Sequence, residues 1–475
     1  MLQREYTCPD PHLAVPSSLL SPRHISAPIA LPSTSADFSV TLTYDTHVCN
    51  AFTLSISRLD KAHCAAVEAA ITPSANVALS DWIRTNLGPD AFIIQVDGAE
   101  RRMEDTPTRY AGACDYEFEF RMNNAGPVWV NVTHSNEDYH GFREVPVVPG
   151  TRERPPLLMR ALVASPVELG ICDARCPTHY APRLGFSVPA TVPPAEGASL
   201  PSCSERARAG TLSGSYIPTR AVDQLYPPFA LPMSFYPSQT RTSTGYDAFV
   251  PAECAWDHAG LRFRDHGACT RRERRVLFVG DSHARAVFDI TAVRLEGAGQ
   301  VASSSLKMNE RNATIGGLFM EFFWDPFLLI PLTCELVEGF DAIVVSAGTH
   351  TAAFACPTTS DFVSVFAEKL AALPALLQRC SPSKPLAKLI FLTMPVQHQH
   401  LHDHDCRTGP RLSYWNRELT RVARREGWEV VDVEGYSRPN AVDQRIMDGI
   451  HYLALDAAEP VVDDFIDRLG ICDEE

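Results

Sequence analysis

The sequence predicts a mixed α/β protein in which a β-sandwich precedes a three-layer domain built on a parallel sheet. Two patterns carry that prediction. Across residues 37–148 apolar side chains recur at every second position, as strands with one buried face require. From Arg275 onward, short continuous apolar runs alternate with stretches of helical period, which is how parallel strands read when helices cover both their faces.

In the first part, Phe38, Val40, Leu42 and Tyr44 alternate with polar residues, as do Phe52, Leu54 and Ile56. Phe92-Ile93-Ile94-Gln95-Val96 followed by Asp97-Gly98 reads as a strand entering a tight turn, because glycine supplies the positive φ that such turns use. Tyr116, Phe118 and Phe120 form another alternating set, and Trp129, Asn131 and Thr133 interleave with Val128, Val130 and Val132. Short strands separated by turn signals predict a sandwich, with Cys49, Cys64 and Cys114 available to brace it. Prolines then concentrate over residues 149–253, a segment that reads as an extended linker pinned by Cys172, Cys176 and Cys203. Cys172, Cys176 and His179 lack a fourth ligand at zinc-site spacing.

In the last part, the runs 276–279, 342–345, 389–392 and 430–433 are the expected strands. Ala286, Val287, Ile290 and Val293 share one helical face after the first of them, and Val461, Val462, Phe465, Ile466 and Leu469 share another near the end. The expected organisation is therefore a tail at 1–36, a sandwich at 37–148, a linker at 149–253 and an α/β catalytic domain at 254–475.

Composition narrows the function. The 475 residues include 42 basic and 57 acidic side chains, a net charge of −15, and 45% are hydrophobic. Such a chain can bury its own cores, and its charge argues against a nucleic-acid partner. Neutral or weakly charged substrates fit better. The 14 cysteines are spread from Cys8 to Cys472, which suggests a disulfide framework in an oxidising compartment; buried free thiols are the alternative. Two glycosylation sequons, Asn131-Val132-Thr133 and Asn312-Ala313-Thr314, agree with secretion. Residues 1–29 hold prolines and charges with no signal-like apolar run, so an anchor missing from this chain is expected. The most apolar stretch, residues 318–332, is interrupted by Glu321, Asp325, Pro326 and Pro331 and is too short to cross a bilayer as a helix.

The chemistry concentrates at strand ends. The first parallel strand runs into Gly280-Asp281-Ser282-His283, with a helix expected from about Ala284. Ligands of parallel α/β sheets bind beyond the carboxyl ends of the strands, and a serine there faces the crevice beside the N–H groups of a helix start. Taken alone, the same residues also read as a helix cap. Asp448-Gly449-Ile450-His451 precedes the last helix and favours the catalytic reading. A serine hydroxyl becomes a strong nucleophile when an imidazole takes its proton, and the imidazole needs a carboxylate to orient it. A second cluster, His398, His400, His402 and His404, follows the fourth strand. In an extended chain all four imidazoles share one side, as a divalent metal or polyhydroxyl strip would need; a solvated loop is the alternative, and the serine mechanism requires no cofactor. Glycine-rich loops of nucleotide-binding spacing are absent.

At these residues the chain resembles the SGNH (GDSL-like) hydrolase superfamily. Within it, the chain resembles the PC-esterase branch of trichome-birefringence-like O-acetyltransferases and neurexophilin-and-PC-esterase proteins. The matching residues are Gly280-Asp281-Ser282, Asp448-Gly449-Ile450-His451-Tyr452 and Trp415-Asn416. Trp129 to Val132 and Gly141-Phe142-Arg143-Glu144-Val145 are similar to an immunoglobulin- or filamin-like module. The resemblance implies an acyl-enzyme on Ser282, with His451 as general base and then acid, Asp448 as its orienter and the Ser282 N–H as an oxyanion donor. It implies a second backbone donor at Gly316 or Gly317. Where the superfamily has Gly-x-Asn-Asp, this chain has Ser346-Ala347-Gly348-Thr349-His350, so Gly348 and His350 are expected to line the pocket, with Arg285 one turn beyond the serine. Cys254 and Cys269, which bracket Trp256, are expected to pair as a support, worth ~3 kcal/mol.

The implied activity is O-acetyl transfer to hydroxyls of a cell-surface or cell-wall glycan in the Golgi lumen or outside the cell. A glycan O-acetyl esterase would use the same triad, and a non-catalytic ligand or adhesion module is the reading from another class. The expected partner is a carbohydrate acceptor or an acylated glycan.

Overall fold

A computed structural model describes residues 26–45, 50–70, 82–122, 126–140, 158–171, 214–217, 248–251, 272–296, 310–346, 348–355, 359–382, 386–397, 407–441 and 455–471. The amino-terminal part comprises β1 (Ile29–Ala30), β2 (Phe38–Tyr44), β3 (Ala51–Arg58), β4 (Ala91–Gly98), β5 (Arg102–Glu104), β6 (Arg109–Gly112), β7 (Asp115–Arg121), β8 (Gly126–Asn136), β9 (Arg160–Ala161) and β10 (Val167–Ile171). They form two antiparallel sheets, ordered β1-β2-β3-β7-β6 and β10-β8-β4-β5, with β9 also pairing β8. The alternation in the sequence has its physical meaning here. Val40, Leu42, Leu54, Ile56 and Phe118 of one sheet and Phe92, Ile94, Val96, Val130 and Val132 of the other share one core. Trp129, between Val128 and Val130, is 41% exposed. Two of the sandwich strands, β9 and β10, come from the segment expected as a linker.

Beyond a two-stranded ribbon of β11 (Gly214–Ile217) and β12 (Ala248–Pro251), the second part is a six-stranded sheet. Its strands are β13 (Arg274–Gly280), β14 (Glu310–Ile315), β15 (Leu318–Trp324), β16 (Ala342–Ser346), β17 (Lys388–Leu392) and β18 (Glu429–Val431), in the order β14-β15-β13-β16-β17-β18. All pairs are parallel except the edge pair β14–β15, so the sheet is mixed where a purely parallel one was expected. Numbering only the parallel strands along the chain gives 2-1-3-4-5, a doubly wound order with its switch point beside β13.

Continuous apolar strands are explained by two cores, one on each face. Val276, Phe278 and Val344 pack with the helices Ser282–Glu296 and Leu455–Leu469, whereas Leu277, Val279, Ile343 and Val345 pack with the helices Thr359–Cys380 and Gly409–Arg425. Phe278 lies 5.5 Å from Phe288 and 5.2 Å from Phe465 between ring centroids, which ties both helices of its face to the central strand. The run expected to reach Val433 ends at Val431. Asp432 caps a short helix there, accepting a hydrogen bond from the Gly435 N–H at 3.0 Å.

The two parts are joined by specific contacts. Ile83, Leu87 and Tyr139 enter the second core, the Arg101 guanidinium donates to Asn440 at 3.1 Å, and Tyr216 donates to the Tyr436 carbonyl at 3.0 Å. Arg438 forms an ion pair with Asp105 of the sandwich. The four described cysteines pair as Cys64–Cys114 and Cys334–Cys380; the other ten, including Cys49, Cys172, Cys176, Cys203, Cys254 and Cys269, lie outside the described residues, as does His179.

Phe278→Ala should lower unfolding free energy by about 3–5 kcal/mol in a denaturant titration, since it empties the aromatic contact that holds two helices to the sheet. Replacing both Cys334 and Cys380 by alanine should cost about 4 kcal/mol in the same measurement, from the loop entropy that their bond removes from the unfolded chain.

Candidate active site

The serine turn lies at the carboxyl end of β13, beside the switch point. Gly280 has φ +150°, and a Cβ built there would stand 1.7 Å from the Ser346 carbonyl oxygen of β16. Only glycine lets the strand ends approach so closely. Two backbone bonds complete the junction: the Asp281 N–H donates to Ser346 O at 3.1 Å, and the Asp325 N–H of the β15 exit donates to Gly280 O at 3.0 Å. Asp281 is buried, and its carboxylate accepts from the His283 N–H at 2.9 Å. Asp281 is therefore the helix cap. Ser282 is the first helical residue, two positions earlier than expected, and is not needed to cap the helix.

An aromatic cluster stands at the carboxyl end of β15. Trp324 is in register with Gly280, so it ends β15 level with the serine turn. His350, beyond the end of β16, sets its ring at 90° to Trp324 with centroids 5.4 Å apart, and at 84° to Phe327 with centroids 6.1 Å apart. The Arg285 guanidinium, one helical turn beyond Ser282, lies over the Trp324 ring at 5.6 Å. Gly348 has φ +127°, and a Cβ there would meet Met394 Sδ at 2.6 Å and Phe362 Cζ at 2.8 Å. The backbone that leads to His350 thus rests on those two side chains.

A buried polar network holds Met394 in place. The Asn416 side chain accepts from the Met394 N–H and donates to its carbonyl, both at 2.8 Å, and donates to Glu434 at 3.0 Å. Neighbouring Trp415 stacks on Phe362 at 3.7 Å and donates to Thr359 at 3.0 Å. Glu434 also accepts from Ser413 and, at 2.6 Å, from Arg438. Burial and then the Asp432 carboxylate push Glu434 up to about 7, against the hydrogen bonds of Ser413 and Asn416. Arg438 beside it also favours the ionised form.

The structure brings Ser282, Arg285, Gly348 and His350 to the same end of the sheet. Gly316 and Gly317 are a correction. They form the turn between β14 and β15, at the opposite end of the strands, where Gly317 O accepts from the Arg274 N–H at 3.0 Å. Leu318 pairs with Arg274 and Trp324 with Gly280, a separation of six residues along each strand or about 20 Å, so neither glycine can reach an oxyanion at Ser282. Asp448, His451, and the imidazoles of His398, His400, His402 and His404 lie outside the described residues. Sequence reading missed Trp324 and Phe327 because residues 318–332 were weighed as a membrane span rather than as a strand. The available signal was Gly316-Gly317 between apolar residues, a two-residue hairpin turn.

No family model and no curated protein matches the chain. Similar solved structures include LAE5, an α/β hydrolase from the metagenome of Lake Arreo, Spain, at 15% identity and TM-score 0.29, covering 44% of this chain and 100% of that one. A lipase/acylhydrolase from Enterococcus faecalis has 15% identity and TM-score 0.27, covering 42% of this chain and 95% of its own. Axe2, an acetylxylan esterase from Geobacillus stearothermophilus, has 14% identity and TM-score 0.24, covering 42% and 96%. At these scores the likenesses settle neither fold nor reaction for this chain, whose assignment rests on its own residues.

Gly280→Ala should yield no soluble folded protein, judged by expression and circular dichroism, because the new methyl would displace backbone shared by three strand ends. Glu434 gives a pH signature. Its raised value means that the folded state holds the proton more tightly than the unfolded state, where the ordinary value is 4.5. Its stabilising contribution is therefore full below about pH 4.5 and is lost as pH rises through about 7, by up to about 3 kcal/mol. Urea titrations of wild type and Glu434→Gln should show their stability difference shifting against wild type between pH 5 and pH 8.

Proposed function

We propose that this chain is a serine acyltransferase that moves an acetyl group onto a glycan hydroxyl through an acyl-enzyme on Ser282. The observation that carries the reading is the serine turn. A glycine without room for a side chain ends the central strand at a topological switch point, an aspartate caps the helix, and the serine stands at its first turn. The helix-start N–H groups supply positive potential for an oxyanion. His451 takes the hydroxyl proton as Ser282 Oγ attacks the acyl carbonyl, then gives it to the departing oxygen as the carbonyl re-forms. A sugar hydroxyl, deprotonated by the same imidazole, then attacks the acyl-serine, and the proton returns to Ser282. Asp448 holds the imidazole in the productive tautomer. Gly348 and His350 line the pocket, with Arg285 beside the serine.

Packing supports the second half of this triad. Four residues after His451 the helix Leu455–Leu469 begins, and its Val461, Val462, Phe465 and Ile466 pack in the core shared by β13 and the helix Ser282–Glu296. The helix that follows Asp448 and His451 in the sequence therefore packs beside the nucleophile strand. Location in an oxidising compartment is part of the proposal, supported by the two disulfides.

Acetate release from an activated acetyl ester, followed with and without oligosaccharide acceptors, tests the assignment. Ser282→Ala and His451→Ala should each lose about 10³-fold or more in kcat/KM. Serine-dependent acetate with no acetylated sugar would assign an esterase, and equal turnover by wild type and Ser282→Ala would remove the enzyme reading.

A further inference from the structure

We infer that Asn312 carries an N-linked glycan that covers the free edge of β14 and the half-buried aromatic residues beside it; this rests on the proposed oxidising compartment, where such glycans are added. Two sequons occur in the chain, and their surroundings differ. Asn312-Ala313-Thr314 lies within β14, and alternation along the strand turns Asn312 and Thr314 to one face, where both are exposed. Ala313, between them, packs against the core on the other face. The amide to be modified and the hydroxyl that completes the motif thus both stand in solvent, as a bulky polar modification requires. Asn131-Val132-Thr133 is placed otherwise. Asn131 and Thr133 are half-buried in mid-sheet, because β8 has partners on both sides. Asn131 is in register with Gln95 of β4, whose side chain donates to Asp97 at 2.6 Å; Asp97 accepts from Arg101 at 2.7 Å, and Arg101 reaches Asn440 of the second part. A glycan on Asn131 would grow beside side chains that tie the two parts together.

The surroundings of Asn312 give the glycan a physical task. β14 ends the six-stranded sheet, and among the described residues no strand pairs with its outer side. A strand edge with unpaired N–H and C=O groups invites pairing with another chain, which proteins oppose with charge, bulges or cover. Glu321 stands opposite Asn312, and Phe319 and Phe323 are the diagonal neighbours of Asn312 on the same face, at about 7–8 Å and within reach of aromatic side chains. Both rings are half-buried, and the Arg275 guanidinium lies over Phe319 at 5.2 Å. The innermost sugar can lay its C–H face on one of these rings while its hydroxyls turn apolar surface into polar surface. A glycan at Asn312 therefore opposes both routes to self-association, strand pairing and apolar contact.

The full chain, secreted from a eukaryotic host behind a supplied leader, tests this. Peptide-N-glycosidase in heavy-oxygen water marks each formerly glycosylated asparagine for peptide mass spectrometry, and Asn312 should be occupied in most chains and more often than Asn131. Asn312→Gln and Thr314→Ala should each abolish that glycan, whereas Thr314→Ser, which keeps the motif, should retain it. Enzymatic removal of the sugar from the folded Asn131→Gln protein isolates the Asn312 glycan and avoids any folding defect of the variants that never carried it. In sedimentation velocity it should lower the concentration at which the chain self-associates by roughly 10-fold. A bare Asn312, occupancy favouring Asn131, or association unchanged by removal of the sugar would each overturn the inference. Disulfide mapping of the same protein reports separately on the compartment. Formed Cys64–Cys114 and Cys334–Cys380 bonds with a bare Asn312 would overturn the glycan alone, and four free thiols in the folded chain would overturn the compartment reading and with it the natural use of the site.

Discussion

The architecture of the candidate site depends on one close approach. At Gly280 the ends of β13 and β16 come near enough that no side chain fits between them, and the same residue's carbonyl receives the N–H of Asp325 from β15. Three strand ends are thereby fixed to one another by backbone alone. The helix begins at once after Asp281, so Ser282 inherits its position from the sheet and not from a loop that would need its own ordering. Trp324 and Ser346, the register partners of Gly280, are placed on either side of the serine turn by the same constraint.

From that junction, order spreads through side chains that are far apart in sequence. Asn416 clamps both backbone groups of Met394, Met394 packs beneath Gly348, and Gly348 leads to His350. Glu434 links Asn416 to Arg438, and Arg438 reaches Asp105 in the sandwich. The Trp415-Asn416 pair therefore supports, from behind, the backbone that leads to His350. Buried polar networks of this kind are stable only when each member is satisfied, which makes the set of partners specific. The sandwich is coupled to this region through Asp105, which pairs with Arg438, and Arg101, which donates to Asn440.

Much of the fold was legible. Alternation at Val128 to Val132 reported a sheet with one wet face, and the continuous runs at 276–279, 342–345 and 389–392 reported strands buried on both faces, because burial imposes those periods directly on residue type. The run at 318–332 was illegible by the same logic. Burial alternates along β15, but residue type does not, because Phe319, Phe323 and Trp324 are apolar at half-buried positions, so the strand and the aromatic cluster at its end went unread. The resemblance implied an oxyanion donor at Gly316 or Gly317, but strand register, which no local motif reports, puts that turn at the opposite end of β13 and β15.

The sequence by itself determined the alternation of elements, the capped serine turn and the chemical type of the candidate nucleophile, since each depends on neighbours within a few positions along the chain. Tertiary structure alone decided which glycine faces Ser346, that Trp324 stands level with Ser282, and that an asparagine more than a hundred residues away braces the backbone that leads to His350. Register between strands and packing across layers set those relations, and both are properties of the folded sheet that no local stretch of residues encodes.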